Sequence, residues 1–287
     1  MVEPIGRARR HKMTIATVMV HLDGNRSNTQ VLNAAGWLAQ RLDAGVIGIA
    51  ACQPLQLDAS GGIYSSDLIY AERDIGVTEL KTLQDEFEDP NSKLCRRIGW
   101  RSAVTLEPIA EYVAHESRSA DLIITACSKK IALDQSRCAD TGALLMHAGR
   151  PVLVVPEFTA KPWFDRVVIA WKDTREARRA IADALPLLKI ASKIIVVEVA
   201  EEEEMEEARL RVEDVVDWLK RHALTAMAAV TPRNGDDGKS LVAFVRLNGA
   251  ELIVAGAYGH GRVREWAFGG MTRDLLLHED RMVFLSH

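Results

Sequence analysis

Five of the nineteen glycines stand close together near the end of the chain: Gly256, Gly259, Gly261, Gly269 and Gly270. The first two follow an apolar, β-branched run, Glu251 to Ala255, and the last two precede a segment with helical spacing, Thr272 to His278. Glycines at the carboxyl end of a strand let backbone N–H groups converge on one point, and a helix N-terminus adds partial positive charge. The chemistry this suits is anion binding, phosphate above all. Thr272 can bond a phosphate oxygen or cap the helix, and Asp274 suits its first turn. Between the glycines, His260, Arg262 and Arg264 add donors. The same glycines would also serve a tight turn with positive φ ahead of a helix cap, and the pattern alone leaves both readings open.

Better-known phosphate loops do not fit. The order Gly256-x2-Gly259-x-Gly261 is not the dinucleotide fingerprint, and it follows the fourth strand of its half, not the first. Gly238-Lys239-Ser240 lacks the leading glycine of a Walker A loop, because that place is taken by Arg233; it reads as loop-to-helix punctuation. His21, Asp23 and Ser27 crowd one strand end without forming a triad. With no nucleophile, base and orienting group together, no turnover is expected. The acidic run Glu198 to Glu207 reads as a solvated helix start, with Arg209 and Arg211 a turn on. Trp218 reads as core, whereas Trp171 and Trp266 lie near the supposed crevice.

The elements that must position these residues are clearest in the second half. Val167 to Trp171 reads as a buried strand and Thr174 to Leu188 as a helix with Ala177, Ile181, Ala184, Leu185 and Leu188 on one stripe. Lys193 to Val199 is a second strand. A helix to His222 follows, its apolar face formed by Leu210, Val215, Trp218 and Leu219. Thr225 to Val230 is a weak third strand, Lys239 to Leu247 a helix, Glu251 to Ala255 a fourth strand and Met282 to Leu285 a fifth. Strands alternating with helices of this length mean βαβ units and a parallel sheet.

The first half repeats this plan. Ala120 to Ala126 (ADLIITA) matches Ala250 to Gly256 (AELIVAG) at an offset of 130, as Gly149 to Val155 matches Glu279 to Leu285. Thr17 to Arg26 matches Arg166 to Arg175 at an offset of 149. The first half therefore carries about nineteen extra residues, placed near Pro54 to Pro90. The expected organisation is a disordered basic tail over 1–12, a domain over 13–156, a linker over 157–162 and a second domain over 163–287. Met13, directly after the tail, is an alternative start.

Composition excludes several classes. The chain has 287 residues, 48% hydrophobic and 26% charged, with net charge −4, so no global basic field favours nucleic acid or anionic lipid. Four separated cysteines (Cys52, Cys95, Cys127 and Cys138) offer neither a zinc site nor a disulfide framework. There is no apolar run long enough to span a membrane and no secretory signal, so the cytoplasm is the default compartment.

The spacing Gly256-x2-Gly259-x9-Gly269-Gly270, after a fourth strand and before a fifth, resembles the ATP-binding signature of the universal stress protein family, G-x2-G-x9-G-[S/T]. The two halves together resemble a tandem universal stress protein over the whole chain after the tail. That resemblance implies an α/β fold of two tandem Rossmann-like (adenine nucleotide alpha hydrolase-like) domains. Each would be a five-stranded parallel sheet of order 3-2-1-4-5 with helices on both faces. It implies ATP or a related adenine nucleotide, with magnesium, between the first and fourth strands, hydrolysed slowly and incidentally if at all. It also implies a homodimer or intramolecular domain pairing. Carried over by position, phosphate contacts fall on Gly259, Gly269, Gly270, Met271 and Thr272, with His260 and Gly261 also in the nucleotide-binding loop. Ala255 and Gly256 flank the nucleotide, and Ala170, Trp171, Lys172 and Val199 line the base.

Three departures accompany the resemblance. Gly270 replaces the usual hydroxyl. Lys172 replaces the usual strand-one Asp, and lysine offers only donors; Asp173 next to it is a possible substitute. In the first half Asp23 is kept, but Ala126, Lys129 and Asp140 stand in place of Gly256, Gly259 and Gly270, so no nucleotide is expected there. The function implied is a stress-response protein acting through ligand-dependent conformation or partner binding. The alternative is a non-nucleotide tandem module acting by dimerisation, partner binding or a small apolar ligand.

Overall fold

The computed structural model describes residues 14–54, 66–89, 93–94, 96–127, 136–157, 161, 163–257 and 281–287. The first half contributes β1 (Thr17–His21), α1 (Thr29–Leu42), β2 (Gly45–Cys52), α2 (Ser66–Glu88), β3 (Arg97–Val104), α3 (Ile109–Glu116), β4 (Leu122–Cys127), α4 (Thr141–Ala148) and β5 (Val152–Pro156). The second contributes β6 (Arg166–Trp171), α5 (Arg175–Asp183), α6 (Leu185–Leu188), β7 (Lys193–Ala200), α7 (Met205–Arg221), β8 (Met227–Pro232), α8 (Asp237–Leu247), β9 (Leu252–Gly256) and β10 (Met282–Ser286). The long crossover of the first half holds α2, 23 residues against 17 in α7.

The strands form one ten-stranded sheet of order β3-β2-β1-β4-β5-β10-β9-β6-β7-β8. Each half keeps the expected parallel 3-2-1-4-5 order, and the two five-stranded sheets join into one. β5 and β10 pair antiparallel, Val154 opposite Val283 and Leu153 opposite Phe284, and fuse the halves. The reason is visible in the sequences VLVVP and MVFLS, buried at every residue. Left as edges, both would expose apolar faces and unpaired backbone groups, the template for aggregation. The true edges, β3 and β8, are mostly exposed or half-buried.

Right-handed crossovers decide which face each helix covers. From β1 to β2 to β3 the chain moves in one direction, so α1 and α2 lie on one face, and α5 and α7 share it by the same logic. Their apolar residues join one core cluster, with Leu38, Phe87, Ile181 and Leu219 among them. The return to β4 or β9 puts α3, α4 and α8 on the other face, with Val113, Leu145 and Leu241 in a second cluster.

Two local readings are corrected. The helix expected over Thr174 to Leu188 breaks at Ala184, because Pro186 has no N–H to continue the ladder and starts α6 instead. On α7 the buried stripe is Ala208, Val212, Val215 and Leu219, and Leu210 is 67% exposed. That stripe runs at i, i+4, i+7 and i+11, and Leu210, two residues from Ala208, falls on the opposite side of the helix.

Candidate functional site

β6 is flanked by β7 on one side and β9 on the other, with Ala170 in register with both Val197 and Ala255. The chain direction reverses here, and open α/β sheets bind ligands in the crevice beyond such a point. Alternation along the strands then sorts the predicted residues. Ala170, Val199 and Ala255 belong to the cluster packed under α8. Their small or short side chains form a shelf at the carboxyl edge.

Lys172 stands beside that shelf and is engaged. Its Nζ lies 3.4 Å from Asp237 Oδ2 in the first turn of α8. Asp237 Oδ1 accepts from Arg233 Nε at 2.6 Å, and Arg233 Nη1 donates to Glu201 at 2.7 Å. The row therefore bridges the ends of β6, β7 and β8. Asp237 first, then Glu201, raise the Arg233 pKa, so the guanidinium stays charged. Asp236 caps α8 by accepting from the Lys239 N–H at 2.8 Å, which lowers its carboxyl pKa. Gly238, Lys239 and Ser240 are thus the first turn of a capped helix. Asp173, the substitute acceptor, pairs with Arg178 of α5 instead.

Two predicted residues face the other way. The Trp171 side chain lies in the cluster under α5 and α7, 9% exposed, so only its backbone borders the crevice. Gly256 also turns toward α5. A Cβ there would sit 2.4 Å from the Ala177 nitrogen and 2.5 Å from the Glu176 carbonyl carbon. Its missing side chain admits the first turn of α5, and its φ is not positive. Beyond it, the Ala257 N–H donates to the Ser286 carbonyl at 2.9 Å. Gly259, His260, Gly261, Gly269, Gly270, Met271 and Thr272 lie outside the described residues, as do Trp266 and Lys129.

The corresponding crevice of the first half is filled by its own side chains. Asp23, 3% exposed, accepts from Arg26 Nε at 2.7 Å and from the Asn25 N–H at 2.9 Å. Asp140 occupies the N-terminus of α4, accepting from the Ala143 N–H at 2.7 Å, where a phosphate would otherwise sit. His21 is buried against Thr125, Nδ1 to Oγ1 3.1 Å; burial lowers its pKa to about 4, with Arg26 adding to the effect and Asp23 opposing it.

Sequence reasoning also missed two further ion pairs. Arg137 packs its Cδ 3.7 Å from where a Cβ of Gly24 would be, pairs with Glu79 of α2 at 2.6 Å and donates to the Gln53 carbonyl at 2.6 Å. Nothing in the local pattern links residues so far apart. Glu198, read as part of a solvated helix start, is a buried residue of β7. Arg211 Nη2 donates to its Oε1 at 2.6 Å and Arg211 Nε to its Oε2 at 3.2 Å. The apolar residues on either side of it were the available signal.

No protein-family model and no curated protein matches the chain. Solved structures match its fold. A universal stress protein from Archaeoglobus fulgidus DSM 4304 superposes with a TM-score of 0.71 at 15% identity, over 94% of this chain and 95% of that one. A functionally unknown protein from Pseudomonas aeruginosa PAO1 gives 0.58 at 15% identity, over 95% of this chain and 92% of that one. The likeness is one of fold: an α/β chain in two Rossmann-like halves, as in a universal stress protein of two-domain size.

Proposed function

We propose that this chain is a tandem stress-response protein of the universal stress type whose second half binds ATP or a related adenine nucleotide, with magnesium. The observation that carries this reading is the shelf of Ala170, Val199 and Ala255 at the strand reversal; in sequence, the glycine-rich run begins directly after β9. In this reading the base lies on the shelf. Gly259, His260, Gly261, Gly269, Gly270, Met271 and Thr272 take the phosphates, largely through backbone N–H groups. Lys172 leaves Asp237 to admit the ligand. Its side chain is 49% exposed, and such a pair contributes about 1 kcal/mol or less. The hydroxyl lost at Gly270 removes one hydrogen bond, about 0.5–1.5 kcal/mol.

The first half, over 13–156, would serve as a partner module joined through 157–162 to the binding half at 163–287. Ligand would bias conformation or partner choice, with no turnover beyond slow ATP hydrolysis, in a cytoplasmic setting. The test is Gly259→Trp, which fills the loop with a side chain. Nucleotide binding is expected to vanish while the circular dichroism spectrum stays that of the parent; unchanged affinity would sink the reading.

One observation favours a second reading. The row Lys172, Asp237, Arg233 and Glu201 bridges the crevice mouth and, with Asp173 held by Arg178, leaves no unpaired carboxylate at the end of β6 among the described residues. A non-nucleotide module, acting through dimerisation, partners or a small apolar ligand, would have that row as permanent architecture. Nucleotide titration of the Gly259→Trp and parent chains separates the two.

A further inference from the structure

On the opposite face of the sheet from the crevice, residues of β6, α5 and α7 line a groove of about 410 Å³. That is within the ~300–1,000 Å³ typical of small-molecule sites. Its walls are Trp171, Ile181, Val215 and Trp218. Trp218 is held by its ring contact with His222, centroids 4.3 Å apart. Two indoles facing one space offer flat, apolar surface with little rotamer freedom.

Two further observations specify what would fill it. The indole N–H of Trp171 is enclosed and has no acceptor. Buried donors are almost always bonded, so this N–H, enclosed beside the groove, is one that an acceptor would satisfy once the ring turns toward it. The second is charge. Of the arginines in the lining, Arg178 pairs with Asp173, and Arg211 pairs with Glu198 and Glu207. Asp214, also in the lining and exposed, has no ion-pair partner among the described residues. The lining is formally neutral, two aspartates against two arginines, and Asp214 is its acid left outside an ion pair among the described residues.

We propose that this groove is a second binding site, separate from the nucleotide crevice, for a planar aromatic cation that carries a hydrogen-bond acceptor. The ring lies between the indoles and the cationic group meets Asp214. The acceptor bonds the Trp171 N–H after a small turn of that ring. An anionic ligand is disfavoured because both arginines already hold carboxylates.

The test titrates the full chain with aminomethylquinoline, quinoline and quinoline carboxylate, which share the ring and its acceptor nitrogen and differ in charge. The cation is expected to bind at one per chain, the neutral ring about tenfold more weakly and the carboxylate more weakly still. Asp214→Asn, at the exposed rim, should bring the cation down to the affinity of the neutral ring. Trp171→Phe, with folding checked by circular dichroism, should weaken both. Saturating ATP should leave the cation bound. Failure of all three to bind up to their solubility overturns the assignment. So does a carboxylate binding as tightly as the cation, an Asp214→Asn chain that behaves as the parent, or displacement by ATP, which would put the ring in the crevice.

Discussion

Lys172 Nζ lies 3.4 Å from Asp237 Oδ2, so the residue that follows the first strand of the second half is tied to the first turn of α8. The lysine neither presents an acceptor to a ligand nor reaches freely into the crevice. Lys172→Asp should supply the missing acceptor and strengthen ATP binding several-fold by calorimetry, about the worth of one hydrogen bond. Asp237 keeps Arg233 as a partner in that variant. Weaker binding would instead mean that Lys172 contacts phosphate.

Gly256 and Ala177 make a second constraint, on the face of the sheet that α5 covers. Gly256→Ala would place a methyl within 2.4 Å of the Ala177 nitrogen, and backbone must shift to admit it. Overpacking of this kind costs about 1–3 kcal/mol, read as a lower urea midpoint. A methyl added at Gly99 in β3 would meet nothing within 4 Å, so Gly99→Ala should change stability by about 0.5 kcal/mol or less.

The Glu198–Arg211 pair should behave as a half-buried ion pair. Glu198 has an 8% exposed side chain but Arg211 a 32% exposed one, so Arg211→Met would strand a carboxylate that water partly reaches, at a cost of about 1–3 kcal/mol. Adding Glu198→Leu should restore most of that loss. Equal destabilisation in the single and double variants would contradict the account of this pair.

How much was legible follows from range. β6, β7, β9 and β10 could be read to within a residue or two because buried parallel strands are nearly continuous apolar runs. Pro186 was a signal for the break before α6, and the two-residue period of β6 already put Trp171 opposite Ala170. The role of Gly256 was legible only as a need for space; that α5 fills it depends on tertiary packing. The pairing of Val283 with Val154, and of Arg137 with Glu79, joins distant segments and leaves no local trace.

His21 predicts a pH effect. Its folded pKa is depressed to about 4, so the unfolded chain, titrating near 6.5, binds the proton first. The stabilisation is fully present above pH 6.5 or so and is lost as pH falls toward 4, amounting to about 3 kcal/mol. His21→Gln should show correspondingly less loss between pH 7.5 and pH 4 in chemical denaturation. Parallel curves for the two chains would contradict a neutral, buried histidine.

The most direct test of the central claim is calorimetric titration of the full chain with ATP and magnesium, after stripping co-purified nucleotide. The account predicts micromolar binding at one site per chain, since the first half is filled by Asp23, Arg137 and Asp140. No heat up to millimolar ATP would contradict it and leave the shelf of Ala170, Val199 and Ala255 as architecture alone.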